Sequence, residues 1–214
     1  MGESMIHNII CLVIGYFCGC ISSGYFVGKF HHIDIREHGS GNAGTTNVLR
    51  GLVKMPALIT FVGDLAKAVL PILVIRVFLS PDNWYLLCLY IGLGVVLGHN
   101  YPFYMGFKGG KGIAATAGLL VAMDLRVTAV CLIVFILIVA VTRYVSLGSL
   151  VVVTLFLIGM VFFGSHGAYG LGNQYLMEFY LVSAAVTLMA FWRHRSNIGR
   201  LLHGTENKIG SKKK

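Results

Sequence analysis

The sequence predicts an all-α integral membrane protein with about seven transmembrane helices. Hydrophobic residues make up 57% of the 214 positions and charged residues only 12%, which is typical of a polytopic membrane protein. The formal net charge is +9. Because the basic residues lie between apolar segments and form no continuous basic face, this charge favours anionic lipids and anionic substrates over nucleic acid.

Seven apolar windows give the expected order of the helices. They lie near residues 5–28, 55–79, 84–99, 112–123, 127–142, 147–164 and 175–192. A signal peptide is the alternative for the first window, but its leader contains Glu3 and no Lys or Arg, so a membrane span is favoured. The fourth window is too short for a straight span, and we expect it to be tilted, partly re-entrant or shielded by protein. We expect residues 1–214 to form a single domain.

The placement of Lys and Arg predicts the orientation of these helices. If the N-terminus lies outside, the loops near residues 29–54, 100–111 and 143–146 share the cytoplasmic side with the C-terminal tail. That side then holds fourteen of the seventeen Lys and Arg residues. The positive-inside rule favours this arrangement for an odd number of spans, with the C-terminus in the cytoplasm.

The loop GHNYPFYMGFKGGKG, residues 98–112, has the composition of a phosphate-binding site. Lys108 and Lys111 supply charge, and backbone N–H groups can converge on an oxyanion. The glycines that would free these N–H groups are Gly106, Gly109, Gly110 and Gly112. The alternative interpretation is that two lysines beside a membrane segment only follow the positive-inside rule.

This loop differs from the Walker A loop of nucleotide hydrolases. That motif requires Gly six residues before the Lys and Ser or Thr directly after it. Met105 and Gly112 occupy those two positions relative to Lys111, so ATP or GTP hydrolysis is disfavoured.

A second polar cluster, SGNAGTTNVLR at residues 40–50, combines hydroxyls, amides and one guanidinium. It can cradle an anion, and Arg50 can bind phosphate with two parallel hydrogen bonds. The alternative is that these are ordinary turn and cap residues with an interfacial arginine.

A third polar cluster, HRSNIGRLLHGTENKIG at residues 194–210, follows the last apolar window. It contains a short amphipathic stretch, which would also fit a helix lying at the lipid headgroups. Its candidate site residues are His194, Arg195, Asn197, Arg200 and Glu206. Ser146 lies in a turn expected at the same interface and can complete a pocket.

Two charged residues fall inside the second apolar window. Asp64 and Lys67 are one helical turn apart, so we expect mutual neutralisation and a packing role, not direct substrate contact. The five cysteines lie in apolar stretches without CxxC spacing, and we expect no disulfide and no metal.

The three polar clusters resemble the three motifs of the bacterial acyl-phosphate-dependent glycerol 3-phosphate acyltransferases, the PlsY family. The matching segments are residues 40–50, residues 98–112, and residues 194–200 with Gly204 and Glu206. Their order and seven-span frame cover nearly the whole chain. Ala43 stands where Pro is more often expected, a departure that concerns only loop rigidity.

The resemblance implies acyl transfer from an acyl phosphate to the primary hydroxyl of glycerol 3-phosphate, giving lysophosphatidate and phosphate without a cofactor. It implies that Ser40, Arg50 and Lys111 bind the glycerol phosphate. The acyl phosphate and the developing oxyanion would be surrounded by the Gly-rich loop (Lys108, Gly109, Gly110, Gly112) with Asn42, Ser146, His194 and Asn197. Further substrate-binding candidates are Asn47, Arg195, Arg200 and Glu206, and the catalytic candidates are His194, Asn197 and Lys111.

Location and partners also follow from the resemblance. It implies a multi-pass protein of the bacterial inner membrane with its active site on the cytoplasmic side. The expected partners are acyl phosphate, glycerol 3-phosphate and membrane lipid, with the soluble enzyme that makes acyl phosphate as a candidate protein partner and no nucleic acid. Either His194 or a substrate phosphate oxygen would accept the proton.

Other classes of protein remain as alternatives. A transporter or channel for a phosphorylated metabolite favours a site near the midplane and often repeated halves, whereas these clusters gather on one face. A non-catalytic lipid-binding scaffold leaves the Gly-Lys loop without a role. No His is followed five positions later by Asp, so the signature of acyl-CoA-dependent acyltransferases is absent.

Overall fold

The computed structural model describes residues 2–78 and 83–210, and every regular element within them is helical. The α-helices are α1 (Gly2–Cys20), α2 (Ser23–Phe30), α3 (Thr45–Gly51), α4 (Lys54–Phe78), α5 (Trp84–Asn100), α6 (Ile113–Met123), α7 (Leu125–Thr142), α8 (Val145–Ser165), α9 (Asn173–Arg193) and α10 (Arg195–Leu202). Short 3₁₀ turns lie at Ile35–Glu37 and Phe103–Met105.

Six segments of the described chain are long and apolar enough to cross a membrane, which makes this a multi-pass integral membrane protein. They are Met5–Phe30, Lys54–Phe78, Trp84–Met105, Leu125–Thr142, Val145–Ser165 and Asn173–Arg193. The fourth apolar window corresponds to α6, which has only 11 residues. At 1.5 Å per residue it is about 16 Å long, roughly half the thickness of the hydrocarbon core.

The first apolar window is not one continuous helix, in contrast to the sequence prediction. The helix is interrupted between α1 and α2, and this break in the helix leaves backbone carbonyls that need hydrogen-bond donors. Lys67 of α4 donates to the carbonyls of Gly19 and Ile21 at 3.1 and 2.8 Å. The Tyr104 hydroxyl donates to the Cys20 carbonyl at 2.7 Å. Side chains distant in sequence therefore stabilise the break.

The central helix is α5. In its window 72% of the residues are buried, against 11% in the α7 window, so α7 lies at the periphery. A Cβ atom at Gly15 of α1 would overlap the Ile91 carbonyl, and one at Gly94 of α5 would overlap the Leu12 carbonyl. These glycines let α1 and α5 approach closely, as small residues do between membrane helices.

The short helix α6 is shielded by protein, one of the arrangements expected for it. It packs against α4 and α5, and a Cβ atom at Gly118 would overlap the carbonyl of Leu65 in α4. Ala115, Thr116 and Leu119 are fully or almost fully buried. The N-terminus of α6 thus lies at a fixed position beside the end of α5.

Candidate active site

One cavity of about 310 Å³ lies where the three polar clusters meet. The 40–50 segment, the N-terminus of α6, the α7–α8 turn and the chain after α9 all contribute to its wall. The predicted site residues that line it are Ser40, Asn42, Asn47, Arg50, Lys111, Gly112, Ser146, His194, Asn197, Arg200 and Glu206. The fold therefore brings together eleven of the fifteen candidates.

Glu206 organises the polar side of this cavity. Its buried carboxylate accepts hydrogen bonds from Asn197 Nδ2 at 2.8 Å, from Ser146 Oγ at 3.1 Å and from Arg200 Nε at 2.8 Å. A carboxylate can only accept such bonds, as phosphate oxygens do, so it cannot bind a phosphate directly. Glu206 thus orients Asn197 and Arg200, which keep further N–H groups, and its predicted contact with a substrate stays a prediction.

Lys111 is linked to this network through Asn197. Its Nζ donates to Asn197 Oδ1, and the loop before α6 holds it partly buried at the cavity wall. Burial lowers the pKa of Lys111 to about 8, and the neighbouring Glu206 carboxylate opposes this shift. The amine is therefore charged at neutral pH and loses its charge within the mildly alkaline range.

His194 presents a neutral imidazole to the cavity. Its ring is 98% buried, since only 2% of the residue is exposed, and its Nδ1 lies 2.7 Å from the Ala190 carbonyl. A carbonyl can only accept, so Nδ1 carries the proton and Nε2 is left as an acceptor. Burial, together with the charge of Lys111, lowers the pKa of His194 to about 4. The imidazole is accordingly a weak base.

In the first cluster, Asn47 uses its side chain to hold the loop, whereas the sequence predicted a substrate ligand. Its Nδ2 donates to the carbonyls of Ile35 and His38, both at 2.8 Å. Its Oδ1 accepts from Ser40 N at 2.8 Å and from Ser40 Oγ at 3.2 Å. All four hydrogen-bonding positions of the amide are therefore used inside the protein.

Of the site residues predicted in this cluster, Ser40, Asn42 and Arg50 remain open to a ligand. Arg50 is exposed near the end of α3 and lines the cavity. Asn42 Nδ2 donates to the Ser40 carbonyl and hydroxyl, both at 3.2 Å. The cluster thus offers one guanidinium with two small polar groups beside it.

The Gly-rich loop does not form the predicted ring of free N–H groups. Gly109 N–H donates to the Asn100 carbonyl at 3.1 Å, and Gly110 N–H donates to the His99 carbonyl at 3.0 Å. Neither residue lines the cavity, so the structure gives no support to the expectation that Gly109 and Gly110 bind phosphate. Gly112 does line it, with φ +81° where α6 begins. The N–H groups of the first helical turn have no partners within the helix and are suited to an anion.

Two predicted cationic ligands also lie outside the cavity. Lys108 is exposed because the chain turns through Gly106 and Phe107, both with φ near +60°. Arg195 is exposed, donates to the Trp192 carbonyl at 3.1 Å, and lies 4.7 Å above the Trp192 ring. Neither residue lines the cavity, and the direct substrate contact predicted for each has no support from its position.

Sequence reasoning missed two residues at the inner end of the cavity, Asp64 and His99. The predicted Asp64–Lys67 pair is present at 2.9 Å, but Asp64 also faces the cavity and lies 3.5 Å from His99 Nδ1. Lys67 Nζ lies 2.8 Å from the same ring nitrogen. The position of His99 inside the second polar motif is the signal that would have pointed to it.

The cavity also has an apolar lining. Its residues come from α3, α4, α6, α7 and the start of α8, and they are Leu49, Phe61, Ile113, Ala114, Phe135, Val139 and Val145. The cavity thus combines cationic groups with a hydrocarbon-like surface between membrane-crossing helices. Among the described residues, no three His, Cys, Asp or Glu side chains are grouped to hold a metal ion.

The chain is similar to known proteins over nearly its whole length. The family model described as glycerol-3-phosphate acyltransferase matches residues 9–204. A glycerol-3-phosphate acyltransferase of Clostridioides difficile is 43% identical over 96% of this chain and 97% of its own length. The corresponding protein of Halalkalibacterium halodurans is 42% identical over 94% and 96%.

Two solved structures share the fold. The crystal structure of the integral membrane glycerol 3-phosphate acyltransferase PlsY in its glycerol 3-phosphate form has a TM-score of 0.81, 32% identity and coverage of 95% of this chain and 96% of that one. The lysophosphatidic acid form of the same enzyme has a TM-score of 0.79, with 32% identity and 95% coverage of each chain.

Proposed function

Since this chain belongs to the glycerol-3-phosphate acyltransferase family of phospholipid synthesis, we propose that its acyl donor is an acyl phosphate. The acyl group would pass to the primary hydroxyl of glycerol 3-phosphate, giving lysophosphatidate and inorganic phosphate. The observation that carries this proposal is the mixed lining of the cavity, in which Arg50, Lys111 and Arg200 occur together with apolar side chains of α4 and α7. An acyl phosphate has the same two parts, an anionic head and a long hydrocarbon chain.

The cationic groups suit two phosphates. Glycerol 3-phosphate and the donor each carry one, and a site for both requires separate cations or clusters of N–H donors. Arg50, Ser40 and Lys111 form one group, and Arg200 with the N–H groups at the start of α6 forms the other. We propose that Arg50, Ser40 and Lys111 hold glycerol 3-phosphate, with the donor head beside Asn197 and Ser146.

The reaction needs no covalent enzyme intermediate. An acyl phosphate is an activated mixed anhydride, so the glycerol hydroxyl oxygen can attack its carbonyl carbon directly. The new C–O ester bond forms, and the bond between the carbonyl carbon and the oxygen attached to phosphorus breaks. Phosphate leaves with the electron pair of that bond. The second N–H of the Asn197 amide and the first N–H groups of α6 would stabilise the developing oxyanion, and the cavity would hold the reactants together.

The proton of the attacking hydroxyl goes to a phosphate oxygen in this proposal. The pKa of His194 is lowered to about 4, whereas the second pKa of a phosphate monoester is about 6. Phosphate is therefore the stronger base, and the Nε2 lone pair of His194 serves to orient the hydroxyl.

We also propose that the cavity opens to the cytoplasm of a bacterial cell, in its inner membrane. The support is the distribution of charge in the sequence, because the segments expected in the cytoplasm contain fourteen of the seventeen Lys and Arg residues, and polar residues of these segments line the cavity.

The donor proposal is tested with purified protein in lipid nanodiscs. Palmitoyl phosphate and palmitoyl-CoA are supplied separately with glycerol 3-phosphate, without metal or nucleotide, and lysophosphatidate and released phosphate are measured. We expect turnover with palmitoyl phosphate only. Equal or faster turnover with palmitoyl-CoA would overturn the choice of donor, and the absence of any turnover, with glycerol 3-phosphate crossing vesicles, would indicate a transporter.

A further inference from the structure

We propose that Arg193, the last residue of α9, is a positioning residue that holds the Gly-rich loop so that Lys111 reaches the cavity. Arg193 does not line the cavity and nothing in the sequence motifs assigns it a role. The inference rests on the proposed function of Lys111 as a phosphate ligand. The proposal concerns the backbone next to Lys111. Two parts of the protein hold this backbone, one on each side.

From one side, Arg193 binds the carbonyls of both loop glycines. Its Nη2 donates to Gly109 O at 2.9 Å and to Gly110 O at 2.7 Å, and its Nε donates to Gly110 O at 3.0 Å. The guanidinium also lies 5.1 Å from the centre of the Tyr101 ring. Charge-assisted bonds from a planar fork fix direction as well as distance, so both peptide groups are oriented by one side chain.

From the other side, the end of α5 holds the same two residues. The N–H groups of Gly109 and Gly110 donate to the carbonyls of Asn100 and His99 at 3.1 and 3.0 Å. The His99 ring lies so close to Gly110 that a Cβ atom there would overlap His99 Nε2. Both peptides are therefore bonded at N–H and at C=O, and little freedom remains for the residue that follows.

This double attachment matters because glycine has the most conformational freedom of all residues. A segment with Gly109, Gly110 and Gly112 around one lysine would otherwise sample many positions of the Lys111 side chain. Arg193 also directly precedes His194, whose ring lines the cavity. The end of α9 therefore sets the positions of Lys111 and His194 relative to each other.

The test compares Arg193→Lys with the matched variant Arg195→Lys in the full-length protein in nanodiscs. Both changes keep the charge, and therefore membrane insertion, but only the first removes the fork that spans Gly109 and Gly110. Hydrogen exchange of the backbone at residues 106–112 should be tenfold faster or more in Arg193→Lys and unchanged in Arg195→Lys. Exchange at wild-type rates in Arg193→Lys, and in Arg193→Gln if the lysine variant does not insert, would overturn the proposal.

A double-mutant cycle separates positioning from general stability. Arg193→Lys should lower kcat/KM for glycerol 3-phosphate at least tenfold in the wild-type background and have little further effect in Lys111→Ala. Equal losses in the two backgrounds would mean that Arg193 acts independently of Lys111, against the inference. If the wild-type protein itself shows no acyl transfer, the proposed function fails, and the exchange rates alone decide whether Arg193 holds the loop.

Discussion

At the scale of single residues, Lys111 combines a charge with partial burial. Burial brings its amine close to neutrality, because the pKa is lowered to about 8. A charged amine attracts phosphate and a neutral amine does not, so its protonation state should be visible in the kinetics.

We predict that kcat/KM for glycerol 3-phosphate falls on the alkaline side with an apparent pKa near 8. Above about pH 7 a phosphate monoester is already a dianion, so the loss reports on the protein. Lys is charged below its pKa, and activity is therefore lost as the pH rises through that value. The measurement is the pH profile of kcat/KM in the wild type and in Lys111→Arg, whose guanidinium stays charged and should move the decline to higher pH. A decline at the same pH in both proteins would assign it to another group.

The sequence predicted the types of residue at the site better than their individual roles. It placed Lys108 and Lys111 in one loop, and Arg195 and Arg200 in one cluster, with nothing to separate the members of each pair. The separation depends on backbone angles at Gly106 and Phe107 and on packing against Trp192. Neither the backbone angles nor the packing can be read from the local sequence alone. The role of Asn47 in holding its loop likewise depends on contacts made in the folded protein.

At the scale of elements, the Gly-rich loop is a rigid connection between α5 and α6. Its glycines are required because neighbouring groups, chiefly His99, approach the backbone closely. A bound anion explains these glycines less well than the composition suggested. The seven apolar windows predicted the long helices to within about two residues at most ends. The break between α1 and α2 was missed because the groups that stabilise it, Lys67 and Tyr104, come from α4 and the α5–α6 loop.

We predict that Gly110→Ala lowers kcat/KM by about a hundredfold, because the added methyl group would overlap the buried His99 ring and displace Lys111. A displacement of about 1 Å at a catalytic group is enough for such a loss. The matched control is Gly199→Ala in α10, where a Cβ atom meets nothing within 4 Å and alanine favours the helix. Activity and melting temperature are measured for both variants, and near-wild-type activity of Gly110→Ala would refute the steric argument.

At the scale of the whole molecule, the membrane determines what the site can bind. The family assignment drawn from three short motifs is confirmed by the match over residues 9–204. The motifs are far apart in sequence, and membrane topology brings them to one end of the helices. The number of complete crossings was less predictable, because α6 is apolar but has only 11 residues.

Orientation is tested by cysteine labelling in a background without the five native cysteines. Gln174, in the first turn of α9, and Thr205, beyond the C-terminal end of α9, are both exposed. We predict that an impermeant maleimide labels Gln174→Cys in intact cells and labels Thr205→Cys only after the membrane is opened. Labelling of both from the same side would contradict the predicted topology and separate the cavity from its cytoplasmic substrates.

The central claim is that this cavity, through Lys111, binds the phosphate on which acyl transfer depends. The most direct test is acyl transfer from palmitoyl phosphate to glycerol 3-phosphate by Lys111→Ala and Lys108→Ala, two lysines of the same loop of which only the first lines the cavity. Loss of a charge-assisted contact costs about 1.5 to 3 kcal/mol, or roughly tenfold to more than a hundredfold in rate. We predict a loss of that size in kcat/KM for Lys111→Ala and near-wild-type values for Lys108→Ala, with equal amounts of inserted protein. Near-wild-type turnover of Lys111→Ala at low glycerol 3-phosphate, or equal losses in the two variants, would contradict the account.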